Sequence, residues 1–227
     1  MKAFKELTKF ELTLWILSLT VVTGSFFAFG SRDYLTLISS LIGVTALIFL
    51  AKGMVIGQVL VIIFSVFYGI VSYFFAYYGE MITYLGMSAP TALLSLIAWI
   101  KHPYKNTKQV EIAKKMKPRS IVFLCVITAV ATLTFYFILR AFGNANLIVS
   151  TLSVATSVLA STLMVYRSPY YALAYAVNDL VLIVLWTLAS LADISYIPMV
   201  TCFVMFFAND IYGFINWQKM KRKQKSA

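Results

Sequence analysis

Eight apolar stretches, each close to the roughly 20 residues that carry an α-helix across a bilayer, occupy most of this 227-residue chain. They fall at about 11–30, 33–51, 55–78, 81–101, 119–140, 146–166, 169–190 and 194–217. The punctuation between them is short: Gly30-Ser31-Arg32-Asp33, Lys52-Gly53, Tyr78-Gly79-Glu80, a basic stretch at 101–119, Gly143-Asn144, Arg167-Ser168-Pro169 and Asp193. The alternating pattern of an outer-membrane barrel is absent, so helices are the means of satisfying the backbone in lipid. Composition agrees. Residues are 61% hydrophobic and only 12% charged, about half the charge of a soluble domain. A soluble enzyme and a disordered chain are both excluded.

The net charge of +11 is one of topology rather than of nucleic-acid binding, because the cations flank apolar runs. With the N-terminus in the cytoplasm, 17 Lys and Arg lie inside and only Arg32 and Arg140 outside. The expectation is a multi-pass protein of a bacterial cytoplasmic membrane with both termini cytoplasmic. The first apolar run exceeds the 7–15 residues of a signal-peptide core, so it is expected to remain as a helix. Cys125 and Cys202 both sit inside apolar runs, which argues against a structural disulfide.

An internal repeat organises the spans. Ile38-Ser-Ser-Leu-Ile-Gly-Val-Thr45 matches Val149-Ser-Thr-Leu-Ser-Val-Ala-Thr156, and Ile82-Thr-Tyr-Leu-Gly-Met87 matches Ile194-Ser-Tyr-Ile-Pro-Met199. Ser95-Leu-Ile-Ala-Trp-Ile-Lys101 then matches Gly213-Phe-Ile-Asn-Trp-Gln-Lys219. A three-helix unit crosses the membrane an odd number of times, so a linking helix is needed to point two such units the same way. The expected fold is an all-α membrane protein with two parallel three-helix bundles in a 3+1+3 order and one extra helix. The segments are the extra helix (1–32), first bundle (33–101), basic loop and linker helix (102–145), second bundle (146–218) and basic tail (219–227). Parallel repeats of this kind, as in the SWEET sugar carriers, place the substrate between the repeats.

Polar groups inside spans are costly and are candidates for function. The seventh span carries Asn178 and Asp179, with Trp186 two turns further on. The eighth carries Asp210 and a stripe of Asn209, Tyr212 and Asn216. Gln58, Ser65, Tyr68 and Ser72 share one face of the third span, and Tyr84, Ser88, Thr91 and Ser95 one face of the fourth. Amides beside large aromatics suit a flat heterocycle bearing hydroxyls, which stacks and hydrogen-bonds. For the serine and threonine stripes, including Ser153, Ser157 and Ser161, the favoured reading is interhelical hydrogen bonding. Asp179 and Asp210 are open between a cation partner, a proton site and a buried acceptor. Trp99 and Trp217 fall near the cytoplasmic ends, where an interfacial belt is one reading.

Other chemistries lack their motifs. No Walker A sequence is present, the single histidine is His102 in the basic loop, and no cysteine cluster could hold zinc. No cofactor or metal and no enzymatic activity is expected. The basic loop and tail are topology signals with a further capacity for anionic lipid.

The stretch Tyr171-Ala-Leu-Ala-Tyr-Ala-Val-Asn-Asp-Leu-Val-Leu-Ile-Val-Leu-Trp186, followed by Asn209-Asp-Ile-Tyr-Gly-Phe-Ile-Asn-Trp217, resembles the PnuC family of bacterial vitamin transporters. The resemblance implies facilitated import of nicotinamide riboside, or in other branches thiamine, riboflavin or a deoxynucleoside. It further implies a SWEET-like fold, a homotrimer and trapping by a cytoplasmic kinase. The residues expected around the substrate, from their cost inside the spans and their shared helix faces, are Asn178, Asp179, Trp186, Asn209, Tyr212, Asn216, Gln58 and Tyr68. The family's Tyr-Gly-Trp-x-x-Trp pattern is reduced here to Tyr212-Gly-Phe-Ile-Asn-Trp217, which bears on the choice of vitamin. Proton coupling, and a sensor or assembly protein without transport, are the alternatives.

Overall fold

The computed structural model describes residues 4–30, 33–74, 78–105, 107–113, 116–144 and 146–226. Lys2, Ser31, Arg32, Lys114 and Lys115 lie outside the described residues, as do the side chains of Ser72, Tyr78 and Glu80. The described chain is helical: α1 (Lys9–Ala28), α2 (Tyr34–Ala51), α3 (Val55–Phe74), α4 (Tyr78–Thr83), α5 (Ala89–Lys101), α6 (Pro118–Ala141), α7 (Leu147–Val165), α8 (Tyr170–Ala192) and α9 (Ile197–Ser226). Seven described helical stretches are long and apolar enough to cross a membrane, and α3 contributes a shorter apolar run at Val55–Ile70.

Local chemistry sets the boundaries. Thr8 and Glu11 close a reciprocal box at the start of α1, Oε2 of Glu11 accepting from Thr8 N at 2.6 Å and Oγ1 of Thr8 from Glu11 N at 3.2 Å. Asp33 caps α2 by accepting from Thr36 N at 3.0 Å. Gly30, Gly53 and Gly143 take φ near +65° just past helix ends, a conformation that a Cβ disfavours. Pro118 begins α6, and Pro169 precedes α8.

Two spans differ from the sequence expectation. The fourth is interrupted: α4 and α5 are joined by a π-helical turn, Tyr84–Ser88, a wide turn that commonly marks a functional site. The last extends beyond residue 217 to Ser226, because the basic tail is built of good helix formers. That tail has a partner. Gln224 donates to Val110 O at 3.1 Å and accepts from Ile112 N at 2.8 Å. Val110 N in turn donates to Gly53 O, and Ala113 N to Arg167 O. The basic loop is thus pinned across the ends of α2, α7 and α9, with Val110 fully buried.

Helix α2 packs on α3 and α9, α3 on α5, α7 on α8, α8 on α9 and α5 on α7. Helix α1 lies against α2 and α9, while α6 rests on α7 and leaves Val122, Phe123, Leu133 and Phe137 outward. At the basic end sits the largest apolar cluster, containing Leu50, Met164, Tyr171, Trp99 and Trp217. Both tryptophans are completely buried, which rules out the interfacial-belt reading. Their rings lie 5.4 Å apart. Trp99 donates to Met164 O at 3.2 Å and Trp217 to Leu50 O at 2.9 Å. Trp99 therefore bonds the last turn of α7, and its sequence match Trp217 the last turn of α2.

Candidate functional site

A cavity of about 230 Å³ lies between α2, α3, α5 and α7–α9. From the α3 side, Gln58 is fully buried and turns its amide nitrogen to Met164 Sδ at 2.8 Å. Its Oε1 has no partner, nor do the buried hydroxyls of Ser65 and Ser95, which line the same space. Unmet buried polar atoms cost about 1–3 kcal/mol each, so three around one cavity indicate a place for a polar guest. Aromatic walls come from Phe64, Tyr68 and Tyr84, with Tyr68 and Tyr84 at 4.6 Å between centroids. Tyr84 and Ser88 reach the cavity from the π-helical turn.

Helix α8 supplies Asn178, Asp179 and Trp186. Asn178 accepts a hydrogen bond from Thr156 Oγ1 at 2.8 Å through Oδ1. That bond fixes the amide and leaves its NH₂ as the group offered to the cavity. Trp186 leans on Tyr196 at 5.6 Å between centroids. A second chamber of about 390 Å³ lies at the end away from the basic loop, near Asp33 and Ser195. Tyr68, Trp186 and Met199 border both chambers. Helix α9 brings Asp210 to the cavity beside Asp179.

Of the eight residues expected around a substrate, the structure brings five together: Gln58, Tyr68, Asn178, Asp179 and Trp186. The other three face α1 and α2. Asn209 donates to Ser18 Oγ at 3.0 Å and to Met205 O at 2.7 Å. Tyr212 donates to Glu11 Oε1 at 2.9 Å, and Asn216 to Ala51 O at 2.9 Å. Asp210, Tyr175 and the serine stripes line the cavity instead. The serines do not glue helices as expected: Ser153 and Ser161 bond carbonyls three residues back in their own helix, and Ser153, Ser157 and Ser161 all border the cavity. Their stripe was legible in the spacing; its destination was not. Among the residues lining the cavity there is no Lys, Arg or His, and the two carboxyls are its only ionisable acids apart from tyrosine. No group of metal-binding side chains occurs among the described residues.

Comparison with known proteins gives a consistent result. The sequence model of a family described as nicotinamide mononucleotide transporter matches residues 33–219. The chain is 26% identical over 221 residues to the nicotinamide riboside transporter PnuC of Neisseria mucosa, covering 95% of this chain and 83% of that one. It is 26% identical over 193 residues to the protein of the same name from Haemophilus influenzae, covering 84% and 82%. A crystal structure of the vitamin B3 transporter PnuC superposes with a TM-score of 0.78 at 25% identity, covering 96% of this chain and 94% of that one.

Proposed function

This chain belongs to the nicotinamide mononucleotide transporter family, and on that premise we propose that it imports nicotinamide riboside rather than the mononucleotide. The family description and the relatives' names differ by one phosphate. The cavity's charge carries the choice. A phosphate monoester brings about −1.5 to −2 charges and three strong acceptors, and would here meet two carboxyls and no cationic side chain. Nicotinamide riboside brings a cationic ring, a carboxamide and hydroxyls. In this reading Trp186 stacks on the ring, where cation–π attraction contributes about 0.5–2 kcal/mol. Asn178 donates through its free NH₂, while Gln58 Oε1 accepts from a hydroxyl.

The architecture we propose is the 3+1+3 order, with α1 as the extra helix and α6 as the linker. The reciprocal tryptophan bonds at the basic end support a pseudo-twofold axis there. We place that end in the cytoplasm, from the excess of Lys and Arg on it. A reporter fused after Ala227 should read as cytoplasmic, and an external signal would reverse the map. Transport is by alternating access, the bundles rocking about the central cavity.

Proteoliposomes containing only this protein test the substrate. Labelled riboside should equilibrate with the lumen while labelled mononucleotide stays outside. Entry of the mononucleotide at a comparable rate, or failure of both to enter, overturns the proposal.

A further inference from the structure

At the end that carries the basic loop and tail, side chains reach across from one group of helices to the other. Helices α2, α3 and α5 pack together, as do α7, α8 and α9, and the groups meet where α2 touches α9 and α5 touches α7. Trp99 of α5 donates to Met164 O of α7 at 3.2 Å. In the other direction, Trp217 of α9 and Tyr171 of α8 donate to Leu50 O of α2 at 2.9 and 3.1 Å, and Asn216 of α9 to Ala51 O at 2.9 Å. The three rings are at most 1% exposed, and Trp217 lies 5.4 Å from Trp99 and 4.7 Å from Tyr171 between centroids. They adjoin the cavity, since Leu50 and Met164, whose carbonyls hold them, also line it. A second layer covers the first. Gly53 and Arg167 follow α2 and α7 with φ of +69° and +55°, and the basic loop bonds both. Val110 N donates to Gly53 O at 2.9 Å, and Ala113 N to Arg167 O at 3.1 Å. Gln224 of the tail clasps the loop from α9. At the opposite end the cavity adjoins the second chamber, with Tyr68, Trp186 and Met199 bordering both.

We propose that Trp99, Trp217 and Tyr171 are the gate between the cavity and the face that bears the tail. They latch on the carbonyls of Met164 and Leu50, and the basic loop and tail strap them shut. The route to the other face runs through the second chamber. Every latch bond joins a helix of one group to a helix of the other, so rocking of the groups breaks these bonds together. The release costs little. Leu50 O and Met164 O keep the bonds from Gly53 N and Arg167 N, at 2.8 and 2.9 Å, that end their helices. Water entering from the opened face then replaces the indole and phenol partners, and a hydrogen bond exchanged for one to water changes the free energy only modestly. Buried tryptophan and tyrosine need such partners for their polar ends. A plug of this kind holds the face closed and still opens reversibly.

The test is the sided reactivity of a cysteine placed in the cavity, Ser65→Cys, in membrane vesicles of either orientation. The reagent is a charged, membrane-impermeant methanethiosulfonate. Ser226→Cys in the exposed tail identifies the tail face, and the chain without an added cysteine gives the background from Cys125 and Cys202. Ser65→Cys should react at least about tenfold more slowly from the tail face than from the other. Trp99→Phe and Trp217→Phe keep a ring and lose the indole donor. Each should raise the tail-face rate about threefold to tenfold and leave the rate from the other face no higher. Gln224→Ala alters the strap alone and should raise the tail-face rate about threefold, which supplies the reading if a tryptophan variant fails to fold. Equal rates from both faces in Ser65→Cys alone, zero included, overturn the proposal. So does a tail-face rate unchanged in the folded variants, or a rise from both faces together, which is the mark of loosened packing. No substrate enters these measurements, so the riboside reading stands or falls separately.

Discussion

Asn178 and Asn209 carry the same amide on neighbouring helices, and the fold gives them different work. The amide of Asn178 is held by Thr156 at one end and opens onto the cavity at the other. That of Asn209 spends both its hydrogens on Ser18 and Met205, tying α9 to α1. Asn178→Leu should therefore weaken riboside binding about tenfold while the protein stays folded, since a ligand group is left unpaired in a dry site. Trp186→Ala should do likewise through the lost ring face. Asn209→Leu should instead cost about 1–3 kcal/mol of stability and leave the affinity of folded protein nearly unchanged. Thermal unfolding in detergent, run beside titration calorimetry, separates the two effects. A loss of affinity in Asn209→Leu equal to that in Asn178→Leu would show that the amide on α9 also reaches the ligand. The sequence made the cost of these residues legible, because amides in an apolar span need partners. It did not tell a partner in another helix from a partner in the ligand.

The same limit operates on whole elements. Spacing placed Asn209, Tyr212 and Asn216 on one stripe of α9, and they do share a face. That face meets α1 and α2, whereas Asp210, about 100° around the helix, meets the cavity. Helical period fixes which residues look the same way and says nothing of which neighbour they look at. The breaks at Asp33, Gly53 and Pro169 were readable because these residues act on their own backbone. The contact that locks α1 into place was not. Glu11, 2% exposed, accepts from Lys52 Nζ at 2.7 Å and from Tyr212 at 2.9 Å, so one carboxylate joins α1, α2 and α9. Removing one partner of a buried pair strands the other, at about 3–5 kcal/mol. Lys52→Met should thus lower the unfolding midpoint markedly. Adding Glu11→Gln to it should recover most of the loss, because the neutral amide oxygen still accepts from Tyr212 without an unpaired charge. If the double variant is as unstable as the single one, the pair is incidental and the packing around it holds α1.

At the scale of the molecule, the carrier must return empty after each delivery, and the charge that moves with the substrate decides what drives the cycle. Asp179 and Asp210 line the cavity loaded and empty alike, so whatever charge they hold cancels over one turn when neither exchanges a proton. The net movement in such a cycle is the one positive charge of the riboside. The chain carries no Walker A motif, so the remaining source of free energy is the electrochemical gradient of the riboside itself. Moving one charge through 100 mV yields about 2.3 kcal/mol. At 1.4 kcal/mol per decade, an inside-negative potential of that size should concentrate the riboside about 40-fold in vesicles that hold no kinase. With the potential clamped at zero, the internal and external concentrations should become equal, whatever pH gradient is imposed. A potassium diffusion potential set with valinomycin gives the first condition, and equal potassium on both sides gives the second. Accumulation that follows the pH gradient at zero potential would make the carboxyl pair a proton carrier and the cycle a coupled one. Accumulation that follows the voltage alone leaves the pair's protons out of the cycle, and a cytoplasmic kinase then adds to the uptake without being needed for it.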